Sequence, residues 1–194
     1  PDLDRAFSFI RDLKFDVLCL QEVPEAFLSR LKSLPLSLAA GIETDWVEPA
    51  HIVKRLYCVI LSPHNILSGY DFAFLKFEAP WRTEKFISFM RRWDWRRVRN
   101  RRSLYADIEM PQGLTRVFSL HLTLSYPNWL MTEFETAARL RDPAIPAVFC
   151  GDLNIIESYR ATPLNWVLGG SFGDIVHRAS ARTNAEKRFA ELGL

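Results

Sequence analysis

The chain has 194 residues, of which 48% are hydrophobic and 25% charged, and its formal net charge is +2. This mixture is typical of a folded globular domain and excludes an intrinsically disordered chain. No run of about 18 uncharged apolar residues occurs, which excludes a transmembrane helix.

Hydrophobic periodicity predicts helices and strands in chain order. A helix is predicted over 2–14, where apolar residues recur at helical spacing, followed by a strand over 16–20 and a helix that opens at Pro24. Further predicted elements are strands over 57–62, 66–76, 103–110, 114–122 and 146–150 and helices over 128–141, 163–168 and 183–192. Helices and strands alternate at both ends, with a run of strands between them. This order predicts one α+β domain over 1–194, with packed sheets and outer helices.

The three cysteines, Cys19, Cys58 and Cys150, each lie within an apolar run. An odd number of cysteines at such positions predicts buried free thiols rather than a disulfide framework. Free thiols are usual in reducing compartments, so we expect a cytoplasmic location.

The positive charge is concentrated in one segment, RRWDWRRVRNRR over 91–102, which carries +6 and leaves −4 on the other 182 residues. Arginine pairs with phosphate and tryptophan offers a stacking face, so Trp95, Arg96, Arg97 and Arg99 are candidate contacts to nucleic acid. The alternative is a solvated, arginine-rich face that anchors its tryptophans in the core.

Polar residues that suit phosphate chemistry follow or end three predicted strands. They are Glu22 after DVLCL, His121 within FSLHL, and Asp152 and Asn154 after AVFC. Carboxylates are ligands that Mg²⁺ accepts while it keeps several waters, so Glu22 with few other protein ligands would suffice. Each residue alone has an ordinary structural explanation, since Gly-Asp-x-Asn often forms a turn and a single histidine is often a core residue. Their combination is the informative signal.

Four segments resemble signature segments of the endonuclease/exonuclease/phosphatase superfamily. They are DVLCLQEV (16–23), YCVILSP (57–63), FSLHL (118–122) and FCGDLN (149–154). The resemblance implies a four-layer α/β/β/α sandwich of the DNase I-like type, with the active site at one edge of the two sheets. It also implies divalent-metal-dependent hydrolysis of phosphate esters.

The resemblance implies a role for each matching residue. Glu22 would be a ligand of a catalytic Mg²⁺ or Mn²⁺. Asp152 would orient or deprotonate the attacking water, and Asn154 would donate a hydrogen bond to the scissile phosphate. His121 would contact a phosphate oxygen or stabilise the leaving group.

Two parts of the superfamily pattern are missing from this sequence. No strand precedes the first helix, and no Ser-Asp-His segment follows. We therefore expect a domain that lacks the first and last strands, as in a portion of a longer chain.

The arginine-rich segment favours a nuclease acting on DNA or RNA, because nucleic acid is a polyanion. A phosphatase or phosphodiesterase acting on phosphoinositide or sphingomyelin-type lipids is the alternative, since an anionic lipid headgroup also attracts this charge. A non-catalytic binding module on the same fold is a second alternative.

Overall fold

The computed structural model describes residues 2–48, 51–74, 97–99, 101–122, 127–154 and 181–193. The chain divides into two compact units. The first comprises 1–73, 96–121 and 141–152, and the second comprises 74–95, 122–140 and 153–194. Within these described residues, eight strands form two four-stranded sheets, both in the first unit.

The first sheet has the strand order β1-β3-β2-β5 and is antiparallel throughout. Its strands are β1 (Leu18–Pro24), β2 (Ser37–Glu48), β3 (His51–Ser62) and β5 (Arg97–Arg99). The second sheet has the order β4-β6-β7-β8 and ends in a parallel pair, β7 with β8. Its strands are β4 (Ile66–Ala73), β6 (Arg102–Met110), β7 (Gly113–His121) and β8 (Ala147–Asp152).

Two helices, α1 (Leu3–Asp12) and α2 (Glu25–Leu31), cover the outer face of the first sheet. The Asp2 carboxylate caps α1 by accepting hydrogen bonds from the backbone N–H groups of its first turn. Pro24 stands at the N-cap of α2, where its missing N–H costs nothing. The apolar faces of both helices pack on Val59 and Leu61 of β3.

Strand β3 is the centre of the packing because both of its faces are buried. Val59 and Leu61 contact the helices, whereas Cys58 and Ile60 face the second sheet. The core between the sheets also contains Ala39, Leu104, Ala106, Ile108 and Val117. A continuous apolar run such as YCVIL is typical of a strand that is covered on both sides.

The second sheet is built around the β6–β7 hairpin, whose turn ends at Gly113 with a positive φ of 124°. On this sheet the rings of Phe118 and Phe149 stack with centroids 4.5 Å apart, and Tyr105 lies 5.4 Å from Phe118. The parallel pairing places Ser119 beside Cys150 and His121 beside Asp152.

The second unit contains the helices α3 (Pro127–Arg139) and α4 (Ala181–Glu191). Phe134 and Phe189 pack with ring centroids 4.2 Å apart, and Arg188 forms an ion pair of 2.7 Å with Glu135. No helix in the described part of the chain is both long and apolar enough to cross a membrane.

The predicted α+β sandwich of two packed sheets is confirmed, but two of its strands were not predicted. Strand β2 is not among the predicted elements because its inward positions, Ala39, Gly41, Glu43 and Asp45, are small or acidic rather than large and apolar. Strand β5 lies inside the arginine-rich segment. The helix predicted over 163–168 lies outside the described residues. The assignment of 1–194 to one domain remains a prediction.

Close packing between β2 and β4 depends on two glycines that face the opposite strand. A Cβ added at Gly69 would lie 2.7 Å from the Cβ of Ala39, and one added at Gly41 would lie 2.6 Å from the Cβ of Asp71. These distances are shorter than van der Waals contact, so the sheets could not approach as they do with larger residues there.

We expect Gly69→Ala to lower the free energy of unfolding by about 1–3 kcal/mol through overpacking. The matched test is the pair Ala39→Gly with Gly69→Ala, which exchanges the two residues and should recover part of the loss relative to the sum of the single variants. Urea unfolding measures all four proteins. A Gly69→Ala variant as stable as the original would contradict this packing.

Candidate functional site

Two β-bulges lie on either side of β3 and carry acidic residues. The pairing of β1 with β3 shifts between Leu20 and Val23, and the pairing of β2 with β3 shifts between Ile42 and Thr44. Glu22 lies in the first bulge with a positive φ of 55°, and Glu43 is the extra residue of the second. Bulges re-aim side chains and are common beside active sites, so this local geometry marks a candidate site.

Glu43 is 3% exposed, and its carboxylate contacts three other strands. Its Oε1 lies 2.6 Å from His121 Nδ1 on β7. Its Oε2 accepts hydrogen bonds from the backbone N–H of Glu22 on β1 at 2.7 Å and from Cys58 Sγ on β3 at 3.3 Å. A buried carboxylate needs such partners because burial removes its hydration. Glu43 therefore joins the two sheets at this edge.

Glu22, Glu43 and His121 form a cluster of potential metal ligands. One ligand atom from each lies within 4.8 Å of the others. Glu22 is exposed, whereas the side chain of His121 is 18% exposed. The cluster thus has one carboxylate open to solvent and one that is committed to internal hydrogen bonds.

The hydrogen bond that His121 donates to Glu43 raises the pKa of His121 above its ordinary value of 6.5, against the opposing effect of burial. An ionised carboxylate accepts hydrogen bonds and donates none, so His121 Nδ1 carries a proton in this pair. The charge of Glu22 raises the pKa further, and that of Arg101 lowers it. The net effect favours the imidazolium form.

Asp152 is the last residue of β8 and the register partner of His121 in the parallel β7–β8 pair. It is exposed at the end of β8. Gly151 precedes it with a positive φ of 123°, and a Cβ there would lie 2.1 Å from the carbonyl oxygen of Leu120. Only glycine allows this approach, so Gly151 fixes how the chain leaves the strand.

Asn154 belongs to the second unit, where its Nδ2 donates a hydrogen bond of 2.6 Å to the carbonyl oxygen of Leu122. Its positive φ of 51° is a conformation that asparagine tolerates better than most residues. The amide therefore joins the segment after β8 to the end of the β7 segment, 32 positions earlier in the chain.

Two further contacts support the backbone around the cluster. Gln21 Nε2 donates a hydrogen bond of 2.9 Å to Ser119 Oγ, which joins the strands of Glu22 and His121. Arg101 Nη2 donates a hydrogen bond of 2.9 Å to the carbonyl oxygen of His121.

Burial and the charge of Glu43 both raise the pKa of Cys58, which keeps its thiol protonated as a donor to Glu43.

Of the predicted substrate contacts, Arg97 and Arg99 lie in β5, whereas Trp95 and Arg96 lie outside the described residues. Strand β5 pairs with β2, and Arg99 is the register partner of Asp45. The backbone of this short strand therefore runs beside β2 two residues beyond Glu43.

The structure brings the predicted residues Glu22 and His121 together and places Asp152 beside His121 in register. The residue that sequence reasoning missed is Glu43. A usable signal exists in GIETDWV, where Ile42, Thr44 and Trp46 alternate with polar or small residues at period two. That pattern predicts a strand with one acidic face, but it does not show that this face is buried or which histidine the acid contacts.

No known family profile and no curated protein matches the sequence. Solved structures with the same fold do match. An endonuclease/exonuclease/phosphatase protein from Beutenbergia cavernae is 20% identical with a TM-score of 0.57, over 90% of this chain and 47% of that one. TDP2 from Caenorhabditis elegans is 14% identical with a TM-score of 0.52, over 79% and 42%. ANGEL2, a 2′,3′-cyclic phosphatase solved with adenosine-2′,3′-vanadate, is 17% identical with a TM-score of 0.54, over 88% and 53%.

The chain therefore has the DNase I-like fold of the endonuclease/exonuclease/phosphatase superfamily, as the four sequence segments implied. It spans about half the length of these solved structures. Fold alone does not assign an activity.

We expect Glu43→Gln to lower the pKa of His121, because the substitution keeps the shape of the side chain and removes its charge. The raised pKa means that the His121–Glu43 pair stabilises the fold fully below pH 6.5 and loses this contribution as pH rises through the folded-state pKa. The variant should lose that pH dependence. NMR titration of the His121 ring and unfolding at several pH values measure both effects.

The control is Glu109→Gln, which changes an exposed acid on β6 that accepts a hydrogen bond from Asn65. It should leave the titration of His121 unchanged. An unchanged or higher pKa of His121 in Glu43→Gln would contradict the assigned pairing.

Proposed function

We propose that this chain carries the catalytic centre of a divalent-metal-dependent phosphodiester hydrolase. The observation that carries the proposal is the buried Glu43 carboxylate, which holds His121 beside the exposed Glu22. A buried acid that orients a histidine next to a solvent-open carboxylate is an arrangement that suits hydrolysis of a phosphate ester.

The donor atoms fit Mg²⁺ or Mn²⁺ better than a softer metal. Glu22 offers carboxylate oxygen to solvent, and the thiol nearest the cluster, Cys58, is held protonated by burial. We propose that Glu22 holds the ion together with waters. The bound ion would offset negative charge that builds on the phosphoryl group.

The roles of the other side chains follow from their contacts. His121, fixed at Nδ1 by Glu43, would donate from Nε2 to a phosphate or leaving-group oxygen. Asp152, the neighbour of His121 in register, would accept the proton of the attacking water. We propose that Asn154 donates a hydrogen bond to the phosphate, as the superfamily resemblance implies. Such fixed donors are each worth roughly 10²-fold or more in rate.

Nucleic acid is the favoured substrate class. The segment over 91–102 carries +6, and part of it, Arg97–Arg99, forms a strand beside the one that bears Glu43. ANGEL2, which shares the fold, was solved with a nucleoside 2′,3′-vanadate. Phosphate pairing by arginine and stacking by Trp95 are the expected contacts.

Two alternatives have different tests. A lipid phosphatase or phosphodiesterase would use the same charge to bind phosphoinositide or sphingomyelin-type headgroups at a membrane surface. A non-catalytic module would keep the fold and bind a phosphate-rich partner without turnover. Two separate hydrolysis assays distinguish the first alternative from the nuclease. The lipid enzyme should hydrolyse phosphatidylinositol 4,5-bisphosphate in vesicles, whereas the nuclease should hydrolyse single-stranded oligonucleotides.

The full-length protein should hydrolyse bis-p-nitrophenyl phosphate with Mg²⁺ or Mn²⁺ and stop when the ion is chelated. Asp152→Asn should reduce turnover by at least about 10²-fold while the protein still binds oligonucleotide. Glu22→Gln should raise the metal concentration needed for half-maximal rate, because one charged ligand is lost.

Glu25→Gln is the matched control, since it removes an exposed carboxylate three residues from Glu22. It should leave the metal requirement unchanged. Full activity of Asp152→Asn at saturating metal would refute its assigned role. Binding of oligonucleotide without any metal-dependent hydrolysis would instead support the non-catalytic alternative.

Replacing Arg96, Arg97 and Arg99 by Ala should weaken oligonucleotide binding and make it less sensitive to salt. Each lost phosphate contact lowers the slope of log affinity against log salt by about 0.7 on single strands. Arg5→Ala, an exposed change on α1, is the control and should leave the slope as it was. An unchanged slope in the triple variant would argue against nucleic-acid contact by this segment.

A further inference from the structure

Two cysteines from different sheets lie side by side in the core. Cys19 on β1 and Cys150 on β8 have their Sγ atoms 3.0 Å apart, and both are free thiols. They are 131 positions apart in the chain. Each of the two residues keeps part of its surface exposed to solvent.

The pair lies directly beneath the candidate site. Cys19 is two residues before Gln21 on β1. Cys150 on β8 is the register partner of Ser119 on β7. Gln21 in turn donates a hydrogen bond to Ser119. Two residues of a strand span about 7 Å, so the thiols lie one side-chain layer below the Asp152–His121 register pair.

The third cysteine has a different environment. Cys58 is 1% exposed, and its thiol donates to Glu43. This contact leaves Cys19 and Cys150 as the two thiols placed to react with each other. Their sulfur atoms need to approach by only about 1 Å to reach the disulfide bond length of about 2.05 Å.

We propose that Cys19 and Cys150 form a site of reversible oxidation, at which a hydroperoxide converts the thiol pair into a disulfide that joins the two sheets. One sulfur attacks the terminal peroxide oxygen, and the O–O bond breaks to give a sulfenic acid and an alcohol, or water from hydrogen peroxide. The second sulfur then attacks the first, the S–O bond breaks, and water leaves. Two thiols lose two hydrogens in total, and an external thiol reverses the reaction.

The disulfide would act on the strands that bear the candidate site. Gly151 packs so tightly that a Cβ there would lie 2.8 Å from Gln21 Nε2 and 2.1 Å from the Leu120 carbonyl oxygen. A displacement of Cys150 therefore moves its neighbour Gly151 against β1 and β7. This part of the proposal rests on the proposed function, and we expect oxidation to lower hydrolysis reversibly.

The covalent test needs no enzymatic activity. The folded full-length protein is treated with a small excess of hydrogen peroxide, denatured, alkylated and digested with trypsin. Cleavage after Lys14, Arg30, Arg55, Lys76, Arg141 and Arg160 places the three cysteines in separate peptides, 15–30, 56–76 and 142–160. Within this chain, alkylatable cysteines should fall from three to one, with 15–30 joined to 142–160. Dithiothreitol should restore all three.

Matched variants identify the partners. Cys58→Ser keeps a hydroxyl donor for Glu43 and should still form the cross-link, whereas Cys19→Ser and Cys150→Ser should each abolish it. The wild-type peptide map suffices if a serine variant fails to fold. Three alkylatable cysteines after peroxide, sulfinic acid on unlinked cysteines, or a cross-link through Cys58 would overturn the proposed site.

The activity measurement is separate. Oxidised wild type should hydrolyse bis-p-nitrophenyl phosphate several-fold more slowly than reduced wild type and recover with dithiothreitol. A protein that forms the cross-link and keeps its full rate would overturn the coupling to the site. A protein that is inactive when reduced contradicts the proposed function, whereas the peptide map still decides the oxidation site.

Discussion

The buried carboxylate of Glu43 is the constraint on which the rest of the site depends. It joins a backbone amide of β1, a thiol of β3 and a histidine of β7, so it connects both sheets at one edge. Removing hydration from a carboxylate is costly unless such partners replace it, and each partner is thereby held in place. Leaving Glu43 without His121 would strand a charge in the core, so the two residues depend on each other.

The bulges explain how two acids reach this position from the two strands that flank β3. A regular strand would turn alternate residues into the inter-sheet core, where apolar residues such as Ile60 and Leu104 lie. The extra residues Glu22 and Glu43 instead shift the pairing of β1 and β2 with β3 near Tyr57 and Cys58. The strained φ of Glu22 is offset by the hydrogen bond from its own N–H to Glu43. Rigid strands on both sides then fix the geometry before any substrate binds.

The sequence predicts much of the fold, because the buried strands are recognisable as short apolar runs. Runs such as YCVIL and FSLHL lie in buried strands, β3 and β7, at the positions where strands are predicted. Glu22, His121 and Asp152 could be proposed because each follows or ends such a run. Strand β2 could not, since its inward residues are small or acidic and their burial is decided by partners up to 78 positions away. Local periodicity can indicate such a strand, but it does not identify the distant residues that its acids contact.

The substrate proposal depends on where the positive charge lies in the chain rather than on the overall composition. The +6 segment contrasts with the −4 on the remaining residues, and three of its described residues, 97–99, form a strand beside β2. The backbone pairing of β5 with β2 places Arg97 and Arg99 near Glu43 in the sheet. The proposed contacts to phosphate would be made by their side chains. The site chemistry and the charge therefore support the proposal by independent routes.

The most direct test of the account is a Mn²⁺ titration of the folded protein followed by NMR. Paramagnetic broadening falls steeply with distance, so it reports where the ion binds. We predict that the His121 ring and the Glu22 amide broaden first, that Leu31 in the helical core stays sharp, and that excess Mg²⁺ restores the lost signals. Sharp His121 and Glu22 signals, with broadening confined to exposed acids elsewhere, would contradict a metal site at Glu22 beside His121.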